Sequence, residues 1–120
     1  MSHLVRGLCH TGSLSAASRL GGGPNIEFAT AFLAGFAEWV CVEALRPALA
    51  EDETSIGTLL YLNHEADSAG EPVLTVRAEL VDLHGTQLRF RIDCFAGETR
   101  IGTGFHERKL AHATSLADAA

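Results

Sequence analysis

Residues 74–94 read LTVRAELVDLHGTQLRFRIDC, and this stretch decides the fold. Leu74, Val76, Ala78 and Leu80 alternate with Thr75, Arg77 and Glu79. Leu88, Phe90, Ile92 and Cys94 then alternate with Arg89, Arg91 and Asp93. An apolar side chain at every second position is the period of a strand with one face in a core. His84-Gly85 supplies a tight turn between the runs, which predicts an antiparallel hairpin. Upstream, Ile56 to Ala66 is a further strand candidate. Downstream of a second turn at Gly97, Ile101, Thr103 and Phe105 share one face of a strand that extends toward Leu110.

Before the strands the period is helical. Ile26, Ala29, Leu33, Phe36, Val40 and Ala44 recur at three- and four-residue spacing, while Phe32, Trp39, Cys41 and Val42 add apolar residues on other faces. A helix apolar nearly all round is expected to be wrapped by protein. Gly21-Gly22-Gly23-Pro24 halts regular structure before it. Pro47 marks its end, with one more turn through Leu49 and Ala50, and Glu51-Asp52-Glu53 reads as a solvated turn. The layout is α+β: one long helix, with a curled antiparallel sheet around it. A single domain over residues 1–120 is expected, with a loop-rich start (1–24) holding a short first strand and a frayed tail (113–120).

Composition narrows the function classes. The chain has 120 residues, 47% hydrophobic and 20% charged, a globular composition that excludes intrinsic disorder. A formal charge of −6 argues against nucleic acid, which needs a basic patch. Glu38 interrupts the most apolar run, Ala29 to Val42, which is shorter than the roughly 20 residues of a membrane span. Cys9, Cys41 and Cys94 lack CxxC spacing and read as reduced thiols. The first 26 residues contain no acidic residue, yet a short strand and a glycine-rich loop account for them, so a cytoplasmic location is expected. Histidines 3, 10, 64, 84, 106 and 112 show no metal-binding spacing, and no metal is expected.

Three polar residues stand out. Glu38, inside the most apolar helical stretch, either is buried and paired or lies on an exposed stripe near Glu43 and Arg46. His64 shares strand parity with Leu60 and Leu62, either as a satisfied core residue or as a catalyst. Thr30, near the helix start, is a cap, a filler or a reacting hydroxyl. Gly102 and Gly104, within a strand, allow another backbone or a ligand to approach closely.

Three segments carry a family resemblance: Thr30-Ala31-Phe32-Leu33-Ala34-Gly35-Phe36-Ala37-Glu38-Trp39, then Ile56-Gly57-Thr58 running to Asn63-His64, then Gly102-Thr103-Gly104-Phe105-His106-Glu107-Arg108. Together they resemble the fluoroacetyl-CoA thioesterase family of hotdog proteins over about residues 28–112. The resemblance implies a catalytic trio at Thr30, Glu38 and His64, with substrate contacts at Gly57 and Arg108. It further implies acyl-CoA or an acyl-carrier thioester as partner, coenzyme A as part of the substrate and no other cofactor, and two protomers with the site at their interface. The phenylalanine lid of the fluoroacetate enzyme has no counterpart in Gly21-Gly22-Gly23-Pro24. Thioester hydrolysis is therefore implied without fluoroacetate preference, and Phe28, Phe32 and Phe36 are expected to wall the acyl end.

These residue types suit the chemistry. A thioester carbonyl needs a nucleophile or activated water, and a donor for the developing oxyanion. Glu38 would be base or nucleophile, His64 a proton relay, Thr30 nucleophile or donor, a backbone N–H near Gly57 the oxyanion donor, and Arg108 a holder of phosphate or pantetheine. One geometric constraint follows. Eight helical residues separate Thr30 from Glu38 by roughly 12 Å. Either Thr30 precedes the helix in a folded-back turn, or the site combines two chains. A non-hydrolytic acyl-thioester binding module and a hotdog dehydratase are the alternative functions, separated from hydrolysis by binding without thiol release and by loss of water.

Overall fold

The computed structural model describes residues 3–15, 29–66 and 73–119. Gly21–Pro24, Ile26 and Phe28 lie outside them. Strand β1 (Cys9–Ser15) precedes helix α1 (Ala29–Leu45) and a single 3-10 turn (Arg46–Ala48). Strands β2 (Glu53–His64), β3 (Val73–His84), β4 (Gln87–Ala96) and β5 (Thr99–His112) follow, then a short helix α2 (Ala113–Ala119). The five strands form one antiparallel sheet in the order β1-β3-β4-β5-β2, and α1 packs on it. No described helix is long and apolar enough to cross a membrane.

The 74–94 hairpin forms as its alternation requires. Every apolar member of the two runs is buried, and together they meet Leu33, Phe36, Val40 and Ala44 of α1 in the core. Gly85 and Gly97 adopt positive φ (57° and 59°) in the two hairpin turns, a conformation that costs glycine little. The 3-10 turn after Leu45 contains Pro47, and Leu49 is extended, so the expected further turn stops at Ala48.

Three expectations change. First, the core face of β5 is not Ile101-Thr103-Phe105. Gly102, Gly104, His106 and Arg108 point inward, opposite Cys94, Ile92, Phe90 and Leu88 of β4. Ile101 is buried where the β4–β5 register shifts. Apolar parity misleads because the inward row is glycine and polar. Second, α1 is not wrapped all round, since Trp39 is 50% exposed. Third, the tail does not simply fray. The backbone N–H of Ala113 donates to the Asp52 carbonyl at 2.8 Å, and the N–H and hydroxyl of Thr114 donate to Asp52 Oδ1 at 3.1 and 2.7 Å, which starts α2.

Candidate active site

Two polar clusters lie along α1, about two turns apart. At its start, Thr30 Oγ1 and His64 Nδ1 are 2.8 Å apart, joining the helix to the end of β2. The sequence spacing alone gave Thr30 no partner, and this bond supplies one. Two turns later Glu38 meets the deeper cluster. Its Oε2 accepts from Arg108 Nη1 at 2.9 Å and lies 3.7 Å from His106 Nε2. The Glu38 side chain is 48% exposed, so in one chain it is neither a buried carboxylate nor a surface partner of Arg46. Arg46 instead pairs with Glu43 at 3.1 Å.

Gly57 enters this cluster through a bulge. β2 pairs with β5 in steady register from His64 to Leu59, and the register shifts between Leu59 and Gly57. Inward parity on β2 thereby moves from His64 and Leu62 to Gly57 and Ser55, since one extra residue reverses the face. A Cβ at Gly57 would collide with Glu38 Oε2 and crowd Arg108 Nη1 at 3.1 Å. Glycine is needed there for close approach. Gly104 has a similar reason: its Cβ would run into the Tyr61 carbonyl of β2.

Arg108 is turned inward, its side chain only 7% exposed. Nε donates to Ser55 Oγ at 2.8 Å, Nη2 to the Ser55 carbonyl at 3.0 Å, and Nη1 to both Glu38 and His106 Nε2, the latter at 3.0 Å. The resemblance implies a substrate contact at Arg108, as a holder of phosphate or pantetheine; within the chain its bonds also place the guanidinium beneath Glu38 as a support. Sequence reasoning missed His106 and Ser55. Their signal was parity: His106 and Arg108 are two apart on a strand, in line with Gly102 and Gly104.

His106 is 1% exposed, and its Nδ1 lies 2.8 Å from the Leu59 carbonyl. Burial pushes its imidazole below the ordinary value of 6.5; the bond to Leu59 opposes this and the Arg108 charge reinforces it, while Glu38 and Glu107 act in the opposite sense. A histidine so lowered binds fewer protons folded than unfolded, so acid favours unfolding. Its contribution to stability is complete above about 6.5 and is lost as pH falls below that value. Thermal melts between about pH 7.5 and pH 5.5 should show a smaller acid loss in His106→Gln than in the parent. Equal losses would contradict the assignment.

Cys41 and Cys94, both buried, have thiols pushed up to about 12, first by burial. They stay protonated near neutrality and do not compete as nucleophiles. Among the described residues no group of three His, Cys, Asp or Glu side chains is arranged to hold a metal. The expected phenylalanine wall is displaced. At 100° per residue Phe32 lies nearly opposite Thr30 on α1. Phe32 and Phe36 instead line an apolar groove of about 420 Å³ with Leu14 and Trp39.

Comparison with known proteins agrees with this architecture. The family model for fluoroacetyl-CoA-specific thioesterases matches residues 14–113. A fluoroacetyl-CoA thioesterase from Streptantibioticus cattleyicolor is 40% identical over 85 residues, which span 71% of this chain and 61% of that protein. The match thus covers less than two thirds of the relative's length. A crystal structure of a phenylalanine-to-alanine variant of the fluoroacetyl-CoA-specific thioesterase FlK, in complex with fluoroacetate and CoA, superposes with a TM-score of 0.76. It is 30% identical, over 94% of this chain and 99% of that one. A hot-dog-like protein from Thermanaerovibrio acidaminovorans shares the fold, with a TM-score of 0.77 at 16% identity over 95% and 88% of the two chains. With a curled sheet on one long helix and these matches over most of its length, the chain belongs to the fluoroacetyl-CoA-specific thioesterase family.

Proposed function

We propose that this protein hydrolyses small acyl-CoA thioesters with Thr30, Glu38 and His64 as its catalytic groups. The observation that carries the reading is the alignment of two polar clusters, Thr30–His64 and Glu38–Gly57–Arg108, beneath one helix of a thioesterase-family fold. Glu38 takes a proton from water, whose oxygen bonds to the thioester carbonyl carbon. The oxyanion is held by a backbone N–H at the Gly57 bulge. Collapse breaks the C–S bond, and the thiolate leaves with a proton returned from Glu38 or from the Thr30–His64 pair. Coenzyme A enters only as part of the substrate. The experiment is free-thiol release from acetyl-, fluoroacetyl-, butyryl- and phenylacetyl-CoA. Hydrolysis of several with no thousand-fold preference for the fluorinated acyl group is expected. Binding without release, or loss of water without thiol, would replace the proposal.

The proposal includes a homodimer. Thr30 is the second residue of continuous α1, so a folded-back turn before the helix does not bring it to Glu38. A second chain does. β2 is an outer strand, and outer strands with exposed apolar side chains seek a partner. Ile56, Leu59, Leu60 and Tyr61 (62% exposed) lie there, near the Glu38 cluster. Pairing two copies at β2 covers these groups and encloses Glu38. Light scattering at micromolar concentration should return twice the chain mass. Leu59→Glu with Tyr61→Glu should shift the protein to monomer and remove hydrolysis; a fully active monomer would exclude the two-chain site. Three free thiols suit a cytoplasmic setting.

A further inference from the structure

His106 is the most buried ionisable side chain of the site and has no role in the mechanism above. Its two ring nitrogens have different partners. The Leu59 carbonyl only accepts, so Nδ1 carries the proton; Arg108 Nη1 only donates, so Nε2 is bare. One neutral tautomer satisfies both. A charged ring would set N–H against N–H at Arg108.

The partners give the ring a function. Leu59 borders the register shift that turns Gly57 toward Glu38. Ser55 fixes one edge of the guanidinium through Nε and Nη2, and His106 takes one direction from Nη1. The remaining Nη1–H is then aimed at Glu38 Oε2. A leucine would fill much of the same space but leave the part-buried Leu59 carbonyl and a buried guanidinium N–H without these partners. Burial and charge at Arg108 both favour the neutral ring that the geometry requires.

We propose that His106 is a positioning residue for thioester hydrolysis: it ties the β2 bulge beside Gly57 to the guanidinium that holds Glu38, and so fixes the oxyanion donor relative to the carboxylate. This rests on the thioesterase reading. A misplacement of about 1 Å at such a site costs on the order of a hundredfold in rate.

The test compares His106→Gln, His106→Asn and His106→Leu in the full chain, with acetyl-CoA as substrate and thermal melts alongside. Glutamine keeps an acceptor near the Nε2 position for Arg108. Asparagine keeps a donor near Nδ1 for Leu59 and leaves Arg108 unmet. His106→Leu should lose about a hundredfold in kcat with KM within about threefold, and His106→Gln should recover to within about tenfold of the parent. If the leucine variant does not fold, kcat of the glutamine variant should still exceed that of the asparagine variant. A leucine variant within threefold of the parent, or equal losses in the folded variants, overturns the proposal. A second readout is independent of turnover. Nitrogen NMR of the histidine-labelled parent should show the His106 ring protonated at Nδ1 alone between about pH 8 and pH 6. A ring protonated at Nε2 overturns the tie itself. A parent with the expected tautomer that releases no thiol from any acyl-CoA overturns the thioesterase reading, and the positioning role with it.

Discussion

Glu38→Gln should lower kcat for acetyl-CoA hydrolysis by a factor of about 10² to 10⁴ in a chain that still folds, with a smaller fall in melting temperature than loss of Arg108 itself causes. The amide is isosteric, and its oxygen can still accept from Arg108 Nη1, which is 2.9 Å from Glu38 Oε2 in the parent. The support beneath the residue therefore survives. The basic oxygen that takes a proton from water does not. In barrier terms the loss is roughly 3–6 kcal/mol, at about 1.4 kcal/mol per tenfold. His64→Ala should lower kcat less, by about 10 to 100-fold, because Thr30 Oγ1 remains in place beside the vacated ring. Free-thiol release under substrate saturation, with melts on the same samples, separates chemistry from folding. A Glu38→Gln variant that hydrolyses acetyl-CoA within threefold of the parent removes Glu38 from the reaction.

How far the fold and site were legible depends on which physical signal each residue carries. The β3–β4 hairpin was fully legible, because Leu74 to Leu80 and Leu88 to Cys94 place every apolar side chain on one face and glycine at the turn. β5 was not, since its inward row of Gly102, Gly104, His106 and Arg108 carries close approach and hydrogen bonds, properties that hydrophobic alternation does not register. The bulge is similarly silent. Nothing in Ile56-Gly57-Thr58-Leu59 announces the extra residue, yet it puts Gly57 on the same face as His64. Glu38, His64 and Thr30 stood out as polar residues in apolar surroundings, and Gly57 and Arg108 came by resemblance; their division into two clusters came from the register of β2 and the pitch of α1. The tail is a further case. The cap for α2 comes from Asp52, some sixty residues away, beyond the reach of local pattern.

The largest stability effect is expected at Arg108, and it follows from how completely the chain uses one guanidinium. Arg108→Met preserves much of the volume but removes donors from Ser55 Oγ, the Ser55 carbonyl, Glu38 and His106 Nε2 together. The Arg108 side chain is nearly inaccessible, so water cannot replace these bonds without opening the strand pair. Breaking one side of a buried charged network costs about 3–5 kcal/mol. The half-exposed Glu38 keeps access to solvent, which argues for the lower end. About 3 kcal/mol corresponds to a fall in melting temperature on the order of 10 °C or more for a domain of this size. Arg108→Lys should recover little of it. A single ammonium on a flexible stem cannot reach both Ser55 groups while donating to Glu38 and His106, because that requires the planar fork. The arginine thus does for the fold what it does for the site: the bonds that close β2 onto β5 near Ser55 are the same ones that hold Glu38 over Gly57. Melting the two variants beside the parent decides the matter, and a Met variant within about 2 °C of the parent would mean that this network contributes nothing net to folding.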